Sequence, residues 1–214
     1  FAQGMDFDPA TNTLYAGIYT GSGTGYYGTW DTGTGVFTTI QTLPNIPDFD
    51  VEPEIAVRSV TLPVATLLCF GDVPGTCQCG NESLPGSMEG CLNSTGVGGK
   101  LTVSGTNVVA NDDLLLSVTQ CRPNKFGMFV QGVNLINMPF KDGILCMGNP
   151  TERLGQVLLD LSGAATSSGI SIVIEGNVTV GVTRYYQFWF RDGNGLSVCG
   201  QNSNLTNGAQ VDWL

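Results

Sequence analysis

The stretch Thr183-Arg-Tyr-Tyr-Gln-Phe-Trp-Phe-Arg-Asp192 carries the densest group of aromatic residues in the chain. In an extended strand, alternate side chains point to the same face. One face therefore carries Tyr186, Phe188 and Phe190, and the other carries Tyr185, Gln187 and Trp189. We expect one set to form core. The other set either packs under a second layer or forms an aromatic surface for sugars or a protein partner, with Tyr185 and Trp189 as contacts.

The sequence around this stretch, from Lys100 to Leu214, alternates short β-prone runs with turn residues such as Asp142-Gly143 and Asn207-Gly208. The predicted strands are Leu101–Ser104, Asp113–Thr119, Met128–Gly132, Gly143–Cys146, Gly155–Leu161, Ile170–Glu175, Thr183–Phe190 and Ala209–Trp213. Only Gly155–Leu161 could instead form a helical turn. Short strands joined by short turns predict an all-β fold, a β-sandwich or jelly-roll-like domain.

Composition agrees with this fold class and excludes some partners. Charged residues make up 12% of the chain and glycine supplies 30 of its 214 residues, a mixture that suits strands and tight turns. The net charge of −10 disfavours binding to nucleic acid or anionic membranes. No apolar run approaches the ~20 residues of a membrane span. Because Phe1 is neither an initiator Met nor part of a signal peptide, we expect a processed product or part of a longer chain.

The pattern of β-prone runs and turns in residues 1–43 predicts a separate N-terminal β-segment. The runs Leu14–Tyr19 and Val36–Ile40 are β-prone and lie between turn clusters. The phrases Met5-Asp-Phe-Asp-Pro-Ala-Thr-Asn-Thr-Leu-Tyr-Ala16 and Trp30-Asp-Thr-Gly-Thr-Gly-Val-Phe37 resemble one blade of a β-propeller. A propeller needs about four to eight blades. Either further blades precede this one, or the segment pairs with something else.

Residues 44–68 have a different composition, with Pro44, Pro47 and Pro53 among acidic residues. This predicts a linker or edge segment. Strand-like runs follow at Glu54–Val60 and Thr66–Phe70. The predicted organisation is therefore a blade-like segment over 1–43, a linker with strands over 44–68, and a β-sandwich domain over 69–214.

The third segment contains phrases that match a known kind of domain: Cys69-Phe-Gly-Asp72, Gly75-Thr-Cys-Gln-Cys-Gly-Asn81, Gly90-Cys-Leu-Asn-Ser94, Phe129-Val-Gln-Gly132, Phe140-Lys-Asp-Gly-Ile-Leu-Cys146, Arg153-Leu-Gly155, Thr183–Asp192 and Asn204-Leu-Thr-Asn-Gly208. Residues 69–214 resemble the Cys/Gly-rich C-terminal β-domain of large secreted, mostly hypothetical proteins of environmental bacteria. The resemblance implies a bacterial, secreted protein and conveys no activity.

The cysteines that match this pattern are expected to form disulfides: Cys69, Cys77, Cys79, Cys91, Cys146 and Cys199. We expect a Cys146–Cys199 bond and pairings within the other four, with Cys77 and Cys79 taking different partners. The alternative, a zinc site, fits the Cys77-Gln-Cys79 spacing poorly. Cys121 departs from the family pattern and is expected to be free and buried, or to form an intermolecular bond.

Catalytic chemistry finds little support, because the chain has no histidine. That excludes Ser–His–Asp and Cys–His catalysis and histidine metal sites. A carboxylate-pair hydrolase remains formally open, with these candidate acids: Asp48, Asp50, Glu52, Glu54, Asp112, Asp113 and Glu175. None lies in a recognisable motif, so we expect no enzyme and no cofactor.

Calcium is the one ion with some support. Asp192-Gly-Asn-Gly195 contains part of an oxygen-ligand loop, with Asp192 and Asn194 as weak candidate ligands, and Asp6-x-Asp8 and Asp48-x-Asp50 could add carboxylates. Full calcium loops carry more ligands and a closing Glu. Ordinary Asx turns are the favoured interpretation.

Two functions from different classes remain. The first is a non-catalytic extracellular or cell-surface structural protein that self-associates into an oligomer, filament or matrix, because the N-terminal β-segment has edges that a neighbouring copy could pair with. The second is a carbohydrate-binding or adhesion module whose aromatic residues, Trp30, Tyr185 and Trp189, contact glycans.

Overall fold

The structure is a computed structural model that describes residues 2–8, 11–20, 23–44, 63–193 and 197–214. The chain forms two compact units, residues 1–62 and 63–214. The strand predicted at Glu54–Val60 lies outside the described residues. The second unit begins before the predicted position 69, because Thr66–Leu68 forms a strand that pairs with Gly208–Gln210.

The first unit contains one antiparallel sheet whose strands follow chain order. Its strands are β1 (Ala2–Asp8), β2 (Thr13–Tyr19), β3 (Thr24–Trp30) and β4 (Phe37–Pro44). Asp31 builds the turn between β3 and β4. Its Oδ1 accepts hydrogen bonds from the backbone N–H groups of Gly33 (2.9 Å) and Thr34 (2.8 Å). Gly35 completes the turn with a φ of 70°, which a residue without Cβ adopts readily.

The two faces of this sheet differ in chemistry. Phe7 pairs with Leu14, Leu14 with Trp30, and Trp30 with Phe37, so directly opposed apolar side chains cross all four strands on one face. Met5 extends this apolar face beside Ala16. The opposite face carries a stacked aromatic pair, Tyr15 and Tyr27, with ring centroids 5.9 Å apart.

The second unit contains the remaining strands and one short helix of the described residues. These are β5 (Thr66–Leu68), β6 (Lys100–Ser104), β7 (Leu115–Thr119), β8 (Phe126–Phe140), β9 (Gly143–Leu158), β10 (Ala165–Thr166), α1 (Ile172–Glu175), β11 (Thr183–Arg191), β12 (Ser203–Leu205) and β13 (Gly208–Asp212). One sheet has the order β10-β7-β6. The other has the order β5-β13-β11-β8-β9, with β12 also paired to β11.

The core of the second unit draws on both sheets. Leu116 and Val118 of β7 belong to the same buried cluster as Phe129 of β8 and Phe188 of β11. The buried indole of Trp213 also joins this cluster, and its Nε1–H donates to the Tyr186 hydroxyl at 2.9 Å. Two antiparallel sheets therefore enclose one apolar interior, and the all-β prediction is confirmed.

The strand predicted at Ile170–Glu175 is wrong, because its last four residues form α1. Ser171 caps this helix by accepting a hydrogen bond from the Ile174 N–H at 3.0 Å. Asp112 adds a second cap, since its carboxylate accepts from the Val173 N–H (3.1 Å) and from the Ser171 hydroxyl. These caps outweigh the β-propensity of the Ile-Val-Ile run.

Three disulfides staple the second unit: Cys69–Cys146, Cys77–Cys91 and Cys79–Cys199. The expectation of disulfides is confirmed, and Cys77 and Cys79 do take different partners. The expected Cys146–Cys199 bond is wrong. Cys146 lies on β9 with its Cα 6.0 Å from that of Cys69, and Cys199 follows β11 with its Cα 5.7 Å from that of Cys79. A disulfide requires such proximity, which spacing along the chain could not reveal.

Candidate functional site

The aromatic strand β11 divides into two faces as its alternation predicts. Tyr186, Phe188 and Phe190 have no exposed surface and form the core. On the other face Tyr185 and Trp189 are half-buried, and Gln187 between them is fully buried. The second face is therefore neither an open aromatic platform nor wholly covered by apolar packing.

Gln187 is buried because part of the long β8–β9 hairpin lies over it. Its Nε2 donates to the backbone oxygens of Ile144 (2.8 Å) and Thr206 (2.7 Å), and its Oε1 accepts from the Cys146 N–H at 3.0 Å. Up to Gly132 the hairpin pairs with β11 within the sheet. Residues 133–150, named here the outer arm, bend away from this pairing and place the backbone of Ile144 and Cys146 against Gln187 on the outer face of that sheet.

A pair of glycines permits this bend. A Cβ on Gly132 would lie 2.5 Å from the carbonyl oxygen of Gly148, closer than real Cβ contacts. The β8–β9 register is also irregular between Gly132 and Asn134. Because irregular pairing bends a strand, the hairpin can turn at this point and continue as the outer arm. The Cys69–Cys146 disulfide then ties the arm to the segment that follows β5.

Two neighbouring cavities lie beside Trp189 and are together named here the Trp189 groove, and the outer arm lines the first of them. Its apolar cavity has a volume of about 340 Å³. Apolar side chains supply most of that cavity's wall: Met128, Val130, Ile136, Phe140, Leu145, Met147, Trp189 and Leu205. A neighbouring cavity of about 360 Å³ shares Met128, Arg153 and Trp189 with the first. The two cavities therefore adjoin each other, with these three side chains forming the wall that they share.

The second cavity is cationic. Arg153 of β9 and Arg191 of β11 both line it, together with Phe126 and Gln156. The Arg191 guanidinium carbon lies 5.3 Å from the centre of the Trp189 ring, within cation–π range. This contact holds the guanidinium over the shared wall of the Trp189 groove.

Of the other predicted contact residues, the structure brings neither into this groove. Tyr185 lies on the same face of β11 and does not line either cavity. Trp30 lies on β3 of the first unit, half-buried, with its ring centroid 5.8 Å from that of Phe37. It therefore belongs to the apolar face of the first sheet.

The predicted calcium ligand Asp192 is engaged in hydrogen bonds to the protein itself. Both carboxylate oxygens of Asp192 accept hydrogen bonds from the Ser94 backbone N–H, and Oδ1 also accepts from the Ser94 hydroxyl at 2.6 Å. Asn194 lies outside the described residues. Within the described ranges, no three Cys, Asp or Glu side chains come together as metal ligands would.

The candidate catalytic acids are also engaged locally. Asp112 caps α1, and Asp113 accepts from the Thr106 hydroxyl at 2.6 Å, which lowers the pKa of that carboxyl. Glu175 lies exposed in α1. The others lie outside the described residues: Asp48, Asp50, Glu52 and Glu54.

Burial raises the pKa of Asp192 above its ordinary value, against the opposing hydrogen bonds from Ser94, and the charge of Asp142 adds to the rise. A raised folded-state pKa means that the folded chain binds the proton more tightly than the unfolded chain. The free energy of unfolding should therefore fall as pH rises from the ordinary value through the folded-state pKa. Asp192→Asn should remove this decline.

Urea denaturation of both proteins between pH 2 and pH 7 tests this expectation, because Asp192 acts above the ordinary pKa of an Asp and the Asp160 control acts below it. The stability of Asp192→Asn relative to the parent should increase with pH, whatever its offset at one pH. Asp160→Asn is the control with the opposite sign, because hydrogen bonds from Ser162 and Ala164 lower the pKa of exposed Asp160. Parallel stability curves for the parent and Asp192→Asn would contradict the assignment.

Cys121 is unpaired and buried, with only 1% of its surface exposed. Its sulfur lies in the core of the second unit, where an added Cβ on Gly99 would come within 3.3 Å of it. Burial raises the pKa of this thiol well above its usual range, and the charge of Asp192 acts in the same direction. The intermolecular alternative would require this part of the core to open.

Comparison of the chain with known protein families, curated proteins and solved structures finds no match. Among the described residues no helix has the length and apolar character needed to cross a bilayer.

Proposed function

We propose that this chain is a non-catalytic, secreted structural protein that self-associates through the sheet of its first unit. The observation that carries the proposal is strand β4. Every residue from Thr38 to Pro44 in this strand is exposed, and β4 is an edge of the sheet among the described strands. An exposed edge presents backbone donors and acceptors that a strand from another copy can pair with.

The sequence of β4 has few of the features that usually protect an edge. The strand contains no charged residue and its one proline is the terminal Pro44, while Phe37-Thr-Thr-Ile-Gln-Thr-Leu43 is rich in residues that favour strands. Natural proteins commonly place lysine, proline or an inward-pointing charge on such edges to prevent association. Ile40 and Leu43 instead expose 58% and 40% of their surfaces. This composition supports pairing between copies.

The apolar face of the same sheet supports the proposal independently. Met5 and Phe7 expose 55% and 47% of their surfaces although they lie beside buried Ala16 and half-buried Leu14. Exposed apolar groups that cluster on one face commonly mark interaction surfaces. Association of two copies would remove this surface from water, at roughly 25 cal/mol for each Å² buried.

The secreted location is supported by the three disulfides, since such bonds persist in oxidising compartments. They also suit a structural protein, because cross-links keep the chain folded where no chaperone is present. The absence of histidine from the sequence makes the commonest acid–base and nucleophilic mechanisms inaccessible. These features support a protein that acts through its surfaces.

Light scattering coupled to size exclusion tests the proposal with an edge variant, Ile40→Lys combined with Thr42→Lys. The parent should show a mass that is a multiple of 22.5 kDa and rises with concentration. The edge variant should shift to the monomer mass, because two charges on β4 block strand pairing.

A matched control adds the same two charges to the second unit, at exposed Leu161 (83%) and Ile174 (75%). Leu161→Lys with Ile174→Lys should assemble as the parent does. A parent that remains monomeric at every concentration would overturn the proposal. So would an edge variant that assembles as well as the control.

A further inference from the structure

We propose that the Trp189 groove is a binding site for an amphipathic anion, a molecule with an unbranched apolar chain and a carboxylate at one end. The groove lies entirely within the second unit and does not involve β4. The inference is therefore independent of self-association. It follows from three observations: an apolar cavity, an adjoining cationic cavity, and a shared wall that joins them.

The apolar cavity has the size and lining of a small-molecule site. Its volume of about 340 Å³ falls at the lower end of the range for ligand pockets, roughly 300–1,000 Å³. Met128, Met147 and Ile136 are flexible or branched aliphatic side chains that pack well against a hydrocarbon. Leaving such a cavity open to water is unfavourable, and an apolar chain would remove that contact.

The cationic cavity supplies the charge that an anionic head group needs. The chain has only 8 Lys and Arg against 18 Asp and Glu, yet Arg153 and Arg191 line the same cavity. Both side chains are exposed, and within the described part of the chain neither forms an ion pair. A guanidinium can bind a carboxylate through two parallel hydrogen bonds. The positive charge of two guanidinium groups that form no ion pair therefore complements a carboxylate head group.

The shared wall allows one ligand to occupy both cavities, with its apolar chain in one and its anionic head group in the other. Met128, Arg153 and Trp189 line both cavities, so a molecule that places its head beside Arg153 can extend its chain directly into the apolar cavity. Glu152 also lines the apolar cavity. The negative charge of Glu152 disfavours an anionic group in the apolar cavity. The ligand should therefore bind with its head group in the cationic cavity.

A sugar fits this site less well than an apolar chain. Glycan sites offer an aromatic ring face together with polar groups that bind hydroxyls. Here the ring face of Trp189 has the Arg191 guanidinium over it, and most of the apolar side chains that line the apolar cavity are aliphatic. The structure thus favours a hydrocarbon chain where the sequence suggested a glycan.

Isothermal titration with sodium decanoate, below its micelle concentration, tests the inference on the whole chain. We expect one site per chain and a change in Trp189 fluorescence. Affinity should fall by up to roughly fourfold for each methylene removed, so hexanoate should bind much more weakly and acetate not measurably. Decanol, which has the chain without the charge, should bind at least about tenfold more weakly than decanoate.

The variant Arg153→Gln with Arg191→Gln should weaken decanoate binding by at least about tenfold while leaving decanol binding unchanged. Arg184→Gln is the control, because Arg184 lies on the same strand with its side chain on the opposite face. Thermal melts of each variant establish that it is folded.

Three outcomes would overturn the inference: no saturable binding of decanoate, binding that the double variant does not weaken, or tighter binding of an oligogalacturonate than of decanoate. The last would assign the groove to acidic glycans. Because the edge variant of β4 leaves the groove intact, decanoate binding by that variant separates failure of this inference from failure of self-association.

Discussion

Replacing Cys79 and Cys199 together by serine should lower the free energy of unfolding by about 5 kcal/mol. This bond joins residues 120 positions apart, the longest separation among the three disulfides. Without it the unfolded chain gains conformational freedom, which the chain-entropy account relates to the length of the closed loop. The bond also joins the irregular region before β6 to the loop that follows β11. We therefore expect that region to lose order first.

Guanidinium denaturation of the parent and the serine variant measures this effect, with equal slopes as the check on a two-state transition. The matched control is Cys77→Ser with Cys91→Ser, whose bond spans only 14 positions and should contribute about 3 kcal/mol. An equal or larger loss in the control would contradict the entropic explanation. A loss below about 1 kcal/mol in the Cys79 and Cys199 variant would contradict the bond itself.

Gln187→Ala should destabilise the protein by about 3 kcal/mol or more, since it removes three hydrogen bonds in a fully buried place. The Cys146 N–H and the carbonyls of Ile144 and Thr206 would then lose their amide partner. An unsatisfied buried polar group costs about 1–3 kcal/mol. The substitution also frees the outer arm from the sheet, so the Trp189 groove should lose its shape.

Chemical denaturation tests the predicted loss of stability, and hydrogen exchange tests the release of the outer arm. The Cys146 amide proton should exchange faster in Gln187→Ala, and decanoate binding should weaken although no groove-lining residue has changed. Gln210→Ala on β13 is the control, because Gln210 is half-buried and, within the described ranges, donates only to the neighbouring Asp212. It should change stability by less than about 0.5 kcal/mol. Unchanged Cys146 exchange in Gln187→Ala would contradict the positioning role.

The alternation in β11 shows what the sequence could predict about the fold. It separated Tyr186, Phe188 and Phe190 from their neighbours, and the structure buries that set in the core. A period of two residues is a local property, so it can be recognised in the sequence of β11 without knowledge of the rest of the chain. The burial of Gln187 could not be predicted in this way. It depends on residues more than 40 positions away that fold across the sheet.

The hairpin of β8 and β9 shows the same limit. The sequence predicted separate short strands at Met128–Gly132, Gly143–Cys146 and Gly155–Leu161, whereas the structure joins them into two long strands. Residues such as Asn149 and Pro150 interrupt the apolar pattern of β9. The pairing continues because the partner strand supplies cross-strand contacts through the irregular register. The outer arm, and with it the groove, follows from this long-range pairing.

The candidate site was predicted only in part. Trp189 was recognised because it is an aromatic residue on the second face of β11, and it does line the groove. Arg153 and Arg191 were missed. They lie 38 positions apart and line one cavity because β9 and β11 both flank β8. The presence of two arginines near aromatic residues in so acidic a chain was the only available signal.

The central claim is that disulfides and packed strands hold the surfaces of the second unit in place. Peptide mapping without reduction tests it most directly, on native protein that was produced in an oxidising compartment and then alkylated. The account predicts the bonds Cys69–Cys146, Cys77–Cys91 and Cys79–Cys199, with Cys121 alkylated only after denaturation. Recovery of the six paired cysteines as free thiols, or of a Cys146–Cys199 bond, would contradict it.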